Sequence, residues 1–147
     1  MRAKTIIILK NNLEGKGYKA IGNVQGRLYM LVLYLKEECW HSTSFSKEWL
    51  HDQDPFNEFC GGNYYNLRKV EGMIVVNDDY YEGDIRPRFI EEGLPSDPHV
   101  FITTPEEMYS ILLQWQKILE MNPRPNYVIF TEENGIVTIT PHNTLEP

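Results

Sequence analysis

The stretch from Thr104 to Thr140 leaves the chain few choices of fold, because it specifies a helix, a stop and a hairpin in succession. Thr104-Pro105-Glu106-Glu107 reads as the helix start. Thr104 can accept from the N–H of Glu107, Glu107 can reach back to Thr104, and Pro105 stands where no N–H is required. The two glutamates also suit the positive end of the helix dipole. Behind them Met108, Ile111, Leu112, Trp115, Ile118 and Leu119 recur at offsets of three and four, one apolar stripe facing a core. The helix is expected to end near Met121, before Pro123 and Pro125. Asn134-Gly135 then supplies the positive φ angles of a type I′ turn between two β-rich runs. Pairing Glu133 with Ile136 puts Val128, Phe130, Val137 and Ile139 on one face, which should meet the helix stripe, and Ile129, Thr131, Thr138 and Thr140 on the other.

Upstream, Lys4 to Lys10 carries Ile6, Ile7, Ile8 and Leu9 in sequence and reads as a strand buried on both faces, inside a sheet. Leu28 to Lys36 has no period, and its composition favours a strand. Ser44 or Ser46 can cap a short helix through Trp49 and Leu50 that Pro55 ends, and Phe56 to Tyr65, with Gly61-Gly62-Asn63, reads as loop. Arg68 to Asn77 is a further strand, and His99 to Thr103 a short one leading into the helix. No repeat or linker divides the chain. The expectation is a single domain over residues 1–147 of class α+β. A mainly antiparallel sheet would pack against one long C-terminal helix at about 104–121, closed by a β-hairpin at 127–140.

With 41% hydrophobic and 12% aromatic residues, the 147-residue chain can bury enough surface to offset the entropy of ordering. Two cysteines, Cys39 and Cys60, are too few for a disulfide scaffold, and Ile6 to Leu9 is too short for a signal peptide. They read as reduced, partly buried thiols of a cytoplasmic protein. The longest apolar run, Leu28 to Leu35, is far short of the roughly 20 residues that span a bilayer, so no membrane partner is expected.

Charge is distributed unevenly. Residues 1–36 hold seven Lys or Arg against Glu14 alone, a net +6, so the remainder must carry −13 to reach the total of −7. From Asn77 to Glu107 nine carboxylates oppose only Arg86 and Arg88. The overall charge argues against nucleic acid as a partner, because such affinity comes from cations displacing counterions. The N-terminal lysines stand singly between apolar residues, as solvent-facing strand positions do.

No nucleophile motif surrounds His41, His51, His99 or His142, and neither a P-loop nor G-x-G-x-x-G is present. Cys39, His41, His51 and Cys60 match no common zinc spacing. Asp78, Asp79, Glu82 and Asp84 depart from the calcium-loop pattern. No catalytic residue, metal ligand or cofactor is therefore assigned. What stands out is a stretch rich in Gly and Pro from Tyr80 to Pro98, read as an exposed loop, that combines carboxylates with aromatic rings, with Tyr64 and Tyr65 as further tyrosines. Asp78 and Asp79, just before it, and Tyr80, Tyr81, Glu82, Asp84, Glu91, Glu92 and Asp97 within it are the candidate partner-binding residues. Tyrosine gives contact area at low entropic cost, and carboxylates steer a basic partner.

With its acidic window, its Thr104-Pro105-Glu106-Glu107 helix carrying Trp115 and its Asn134-Gly135 hairpin, the chain resembles, in overall character, the small immunity proteins of bacterial contact-dependent and polymorphic toxin systems. The resemblance implies a non-catalytic cytoplasmic inhibitor whose partner is a cognate basic toxin, often a nuclease, with the active site covered by the acidic surface. Two other classes stay open at this point. One is a small metal-dependent enzyme or ligand-binding domain using His41, His51 or the acidic loop, and the other a structural or adaptor subunit.

Overall fold

The computed structural model describes residues 5–12, 17–22, 26–62, 64–78 and 100–145. Its elements are β1 (Thr5–Asn11), β2 (Tyr18–Ile21), α1 (Arg27–Glu38), α2 (Ser44–His51), β3 (Phe59–Gly61), β4 (Tyr65–Val70), β5 (Met73–Asp78), β6 (Val100–Thr103), α3 (Pro105–Glu120), β7 (Tyr127–Glu133) and β8 (Ile136–His142). The class is α+β with antiparallel pairing, and the strands divide into two four-stranded sheets ordered β2-β1-β7-β8 and β3-β4-β5-β6. Helix α1 contacts β4, β5 and β6 of the second sheet and β1 of the first, while α3 packs on β8, β5 and α2.

Helix α3 and the closing hairpin follow the sequence closely. Thr104 Oγ1 accepts from Glu107 N at 3.1 Å, Pro105 occupies the first turn, and all six residues of the apolar stripe are buried. Glu133 pairs with Ile136, Asn134 and Gly135 have φ of 57° and 81°, and Val128, Phe130, Val137 and Ile139 face the core. Trp115 meets Phe130 with ring centroids 5.8 Å apart and Tyr18 edge-on at 6.1 Å. One detail differs: Glu107 does not close the capping box but accepts from Val137 N at 3.1 Å. Together with Gln114, which donates to Val137 O and accepts from Ile139 N, it covers the outer edge of β8. An open strand edge left free invites pairing with another chain.

The largest departure from the sequence reading is at 28–36, where the expected strand is a helix. Buried residues ring most of α1, namely Leu28, Met30, Leu31, Val32, Tyr34, Leu35 and Glu38, because sheet lies on more than one side of it. A helix buried nearly all round has no amphipathic period to betray it. β1 is interior to its sheet, between β2 and β7, but it is not buried on both faces. Ile7 and Leu9 are buried while Ile6 is 52% exposed, because only one face of that sheet is covered by the core. The expected loop at 56–65 contains β3, and the expected single strand at 68–77 is two strands, β4 and β5, turning at Glu71-Gly72 with φ of 50° and 81°. The expected exposed loop from Tyr80 to Pro98 lies outside the described residues.

Arg27 ties the two sheets together. Its guanidinium is ion-paired with Glu132 of β7, donates to Ile102 O of β6 at 3.3 Å and lies 5.2 Å from the centre of the Phe101 ring. Glu132 is buried, and burial raises its pKa above the ordinary value of 4.5 although Arg27 pulls the other way. The folded state thus holds this proton more tightly than the unfolded chain does, an advantage present in full below pH 4.5 and lost as pH rises through the folded pKa. Glu132→Gln should therefore gain stability relative to the parent as pH is raised from 4 to 7, in urea unfolding measured across that range. Glu132→Ala should lose roughly 2 kcal/mol, because it leaves the half-buried Arg27 guanidinium without its carboxylate.

Candidate functional site

Asp78 ends β5, where its register partner is Tyr65. It is the only one of the nine candidate partner-binding residues inside the described part of the chain. Asp79, Tyr80, Tyr81, Glu82, Asp84, Glu91, Glu92 and Asp97 lie outside it. The surroundings of Asp78 are nonetheless informative. Asn77, fully buried beside it, donates through Nδ2 to Asp78 O at 3.0 Å and fixes that peptide.

A turn and a helix end are joined at the same end of the sheet. Helix α1 runs out at Glu38, whose carboxylate is buried and accepts from Tyr64 N at 2.7 Å and Tyr65 N at 3.0 Å. A charged acceptor on two amides stands in for the missing backbone partners of the turn between β3 and β4. Gly62 is required there by space: a Cβ would fall 2.3 Å from Glu38 Cδ. The bonded carboxylate has little freedom to retreat. Tyr64 is held 58% exposed by this arrangement, while Tyr65 is half-buried. Burial pushes the Tyr65 phenol up, and Glu37, Tyr29, Asp78 and Glu38 push it further. Asp78 is the register partner of Tyr65 and Glu38 accepts from its amide, while Glu37 is ion-paired with Lys36. Of the sequence-level candidates, the structure brings Asp78, Tyr64 and Tyr65 together. Sequence reasoning missed Glu38, because reading α1 as a strand hid that it delivers its C-terminus here.

The residues weighed for metal or nucleophilic chemistry do not converge. Cys39 and Cys60 are buried around Tyr34, whose hydroxyl is 2.6 Å from Ser46 Oγ, with Cys39 Sγ 3.7 Å from the same oxygen. His41 and His51 are exposed instead, the latter against Tyr109 at 4.8 Å. Among the described residues no group of three or more His, Cys, Asp or Glu is arranged to hold a metal ion. Desolvation pushes the Cys39 thiol up to about 12, far from the thiolate that nucleophilic chemistry needs. No helix among the described residues is long and apolar enough to cross a membrane.

No family model, curated protein or solved structure matches this chain.

Two measurements check this geometry. Glu38→Ala removes a charged acceptor from two amides and should cost roughly 2 kcal/mol, with faster hydrogen exchange at Tyr64 and Tyr65 than at the amides of β5. Both thiols should resist iodoacetamide at pH 8 in the native protein and react at the rate of free cysteine once unfolded, as read by mass spectrometry.

Proposed function

We propose that the protein is a non-catalytic, protein-binding inhibitor that neutralises a basic toxin enzyme, a nuclease being one such target, in the manner of bacterial immunity proteins. The observation that carries this reading is the junction at the end of the second sheet. There Glu38 holds the amides of an exposed Tyr64 and of Tyr65, with Asp78 the register partner of Tyr65. Exposed aromatic contact area beside carboxylates is what a cationic protein surface is recognised by. The strongly acidic sequence from Asp79 to Asp97 follows directly from Asp78, so the partner surface is assigned to both together. Inhibition is electrostatic and steric: the carboxylates occupy the cationic site, and the rings exclude water from the contact.

The assignment is tested by reversing Asp78, Asp79, Glu82 and Asp84 to Lys. Association with a secreted toxin encoded by the neighbouring reading frame should slow by about tenfold or more at low salt, with the far-ultraviolet circular dichroism unchanged. Unchanged association and affinity would remove the function from this surface. Tyr64→Ala should act on the dissociation rate instead, because it deletes contact area rather than charge.

A further inference from the structure

The other end of the second sheet carries a groove that the inhibitor reading leaves unused. Around the Glu71-Gly72 turn lies a depression of ≈ 430 Å³ floored by Leu50, Met73, Ile74 and Pro105. It adjoins one of ≈ 360 Å³ through Glu58, Lys69 and Glu71, and one of ≈ 270 Å³ beside Tyr109 through Leu50 and Pro105. The floor is apolar and the rim is acidic, with Asp52, Asp54, Glu58 and Glu71 along it and Glu106 at the far depression.

The cations in this groove are already engaged. Lys69 Nζ donates to Trp49 O at 2.8 Å and Asp52 O at 3.0 Å and lies 4.6 Å from the Trp49 ring centre, and Arg68 lies over Phe59 at 5.6 Å. Several of the carboxylates are not. The carboxylates of Glu58, Glu71 and Glu106 have no hydrogen bond or ion pair to any described residue. Asp52 accepts from Asp54 N and Asn57 Nδ2, bonds that lower its pKa and keep it ionised. Asp54 accepts from Phe56 N at 3.0 Å, and the Phe56 ring beside the rim is 92% exposed. An exposed ring next to carboxylates is a favourable seat for Lys or Arg.

We infer that this groove binds an extended, basic peptide segment of a partner protein, with apolar side chains on the floor and Lys or Arg side chains against the rim. Charge selects the occupant: the rim repels an acidic segment, and the apolar floor favours a segment with alternating side chains over a free polyamine. The groove lies at the hairpin end of β4 and β5, whereas Tyr65 and Asp78 mark the opposite end, so the two surfaces are separable by mutation.

The probe is a capped peptide of about nine alternating Lys and Leu residues, an extended strand by pattern. Titration into the protein should saturate and shift the amides of residues 54, 56–58 and 71–73. Glu58→Lys with Glu71→Lys should weaken binding about tenfold or more, and Asp78→Lys should leave it unchanged. Because Glu71 has φ of 50°, Glu58→Gln with Glu71→Asn, which keeps the turn, is made alongside and should weaken binding about threefold. That pair decides the matter if the lysine pair does not fold. Binding unaffected by either pair, shifts confined to other residues, or no saturation below about 1 mM would overturn the inference. Loss at Asp78 alone would count against the groove and for a single binding surface.

Discussion

The ion pair between Arg27 and Glu132 is the contact on which the relation between the two sheets depends. Glu132 is buried and Arg27 half-buried, and such a pair is weak as a source of stability because desolvation offsets most of its attraction. Its value is in geometry. A guanidinium that must satisfy Glu132 on one sheet and Ile102 O on the other tolerates little sliding of one sheet past the other. Arg27 is also the first residue of α1, so the same contact fixes where that helix begins. Eleven residues later, about 16 Å along a rigid rod, the helix delivers Glu38 to the Tyr64–Tyr65 turn. Position is thus transmitted from the core between the sheets to the surface that carries the tyrosines.

Trp115 secures the far end of the same helix. Its indole N–H donates to Cys39 O at 2.9 Å, immediately after α1, while its ring packs between Tyr18 and Phe130 of the first sheet. α3 therefore holds both the hairpin, through Glu107 and Gln114, and the C-terminal end of α1, through Trp115. These side chains explain why Glu107 forgoes the reciprocal cap that its spacing from Thr104 allows. The Val137 amide on the edge of β8 offers a bond that ties two elements, whereas the local cap would tie only one turn.

How far the sequence could be read follows from where each element stands. α3 and the β7–β8 hairpin were legible because each has one buried and one open face, which writes a period into the residues. α1 was not, since burial nearly all round erased its period, and its two tyrosines and Val32 tilted the composition toward strand. The balance of Leu and Met over β-branched residues was the available signal. The β4–β5 hairpin was missed because Glu71 takes the left-handed position where Asn or Asp is the usual marker, although Gly72 stood beside it. For the candidate site, tyrosines and carboxylates were visible as residue types. Their meeting was not, because it depends on Glu38, a helix-terminal residue buried against a turn 26 residues away.

The second sheet finally separates two acidic surfaces in a way that matters for how a partner engages them. β5 runs from Met73, on the floor of the groove, to Asp78, beside the tyrosines, about 17 Å of extended chain. At physiological ionic strength exposed charges are largely screened beyond about 8 Å, so neither end sets the field at the other. Net charge alone therefore cannot describe recognition by this protein. If both surfaces act as proposed, a compact basic patch would satisfy only one end, while a partner with a folded cationic surface and a basic tail would reach both. In the second case the first contact converts the tail into an intramolecular ligand, and two modest interactions give one tight complex without either surface being optimal.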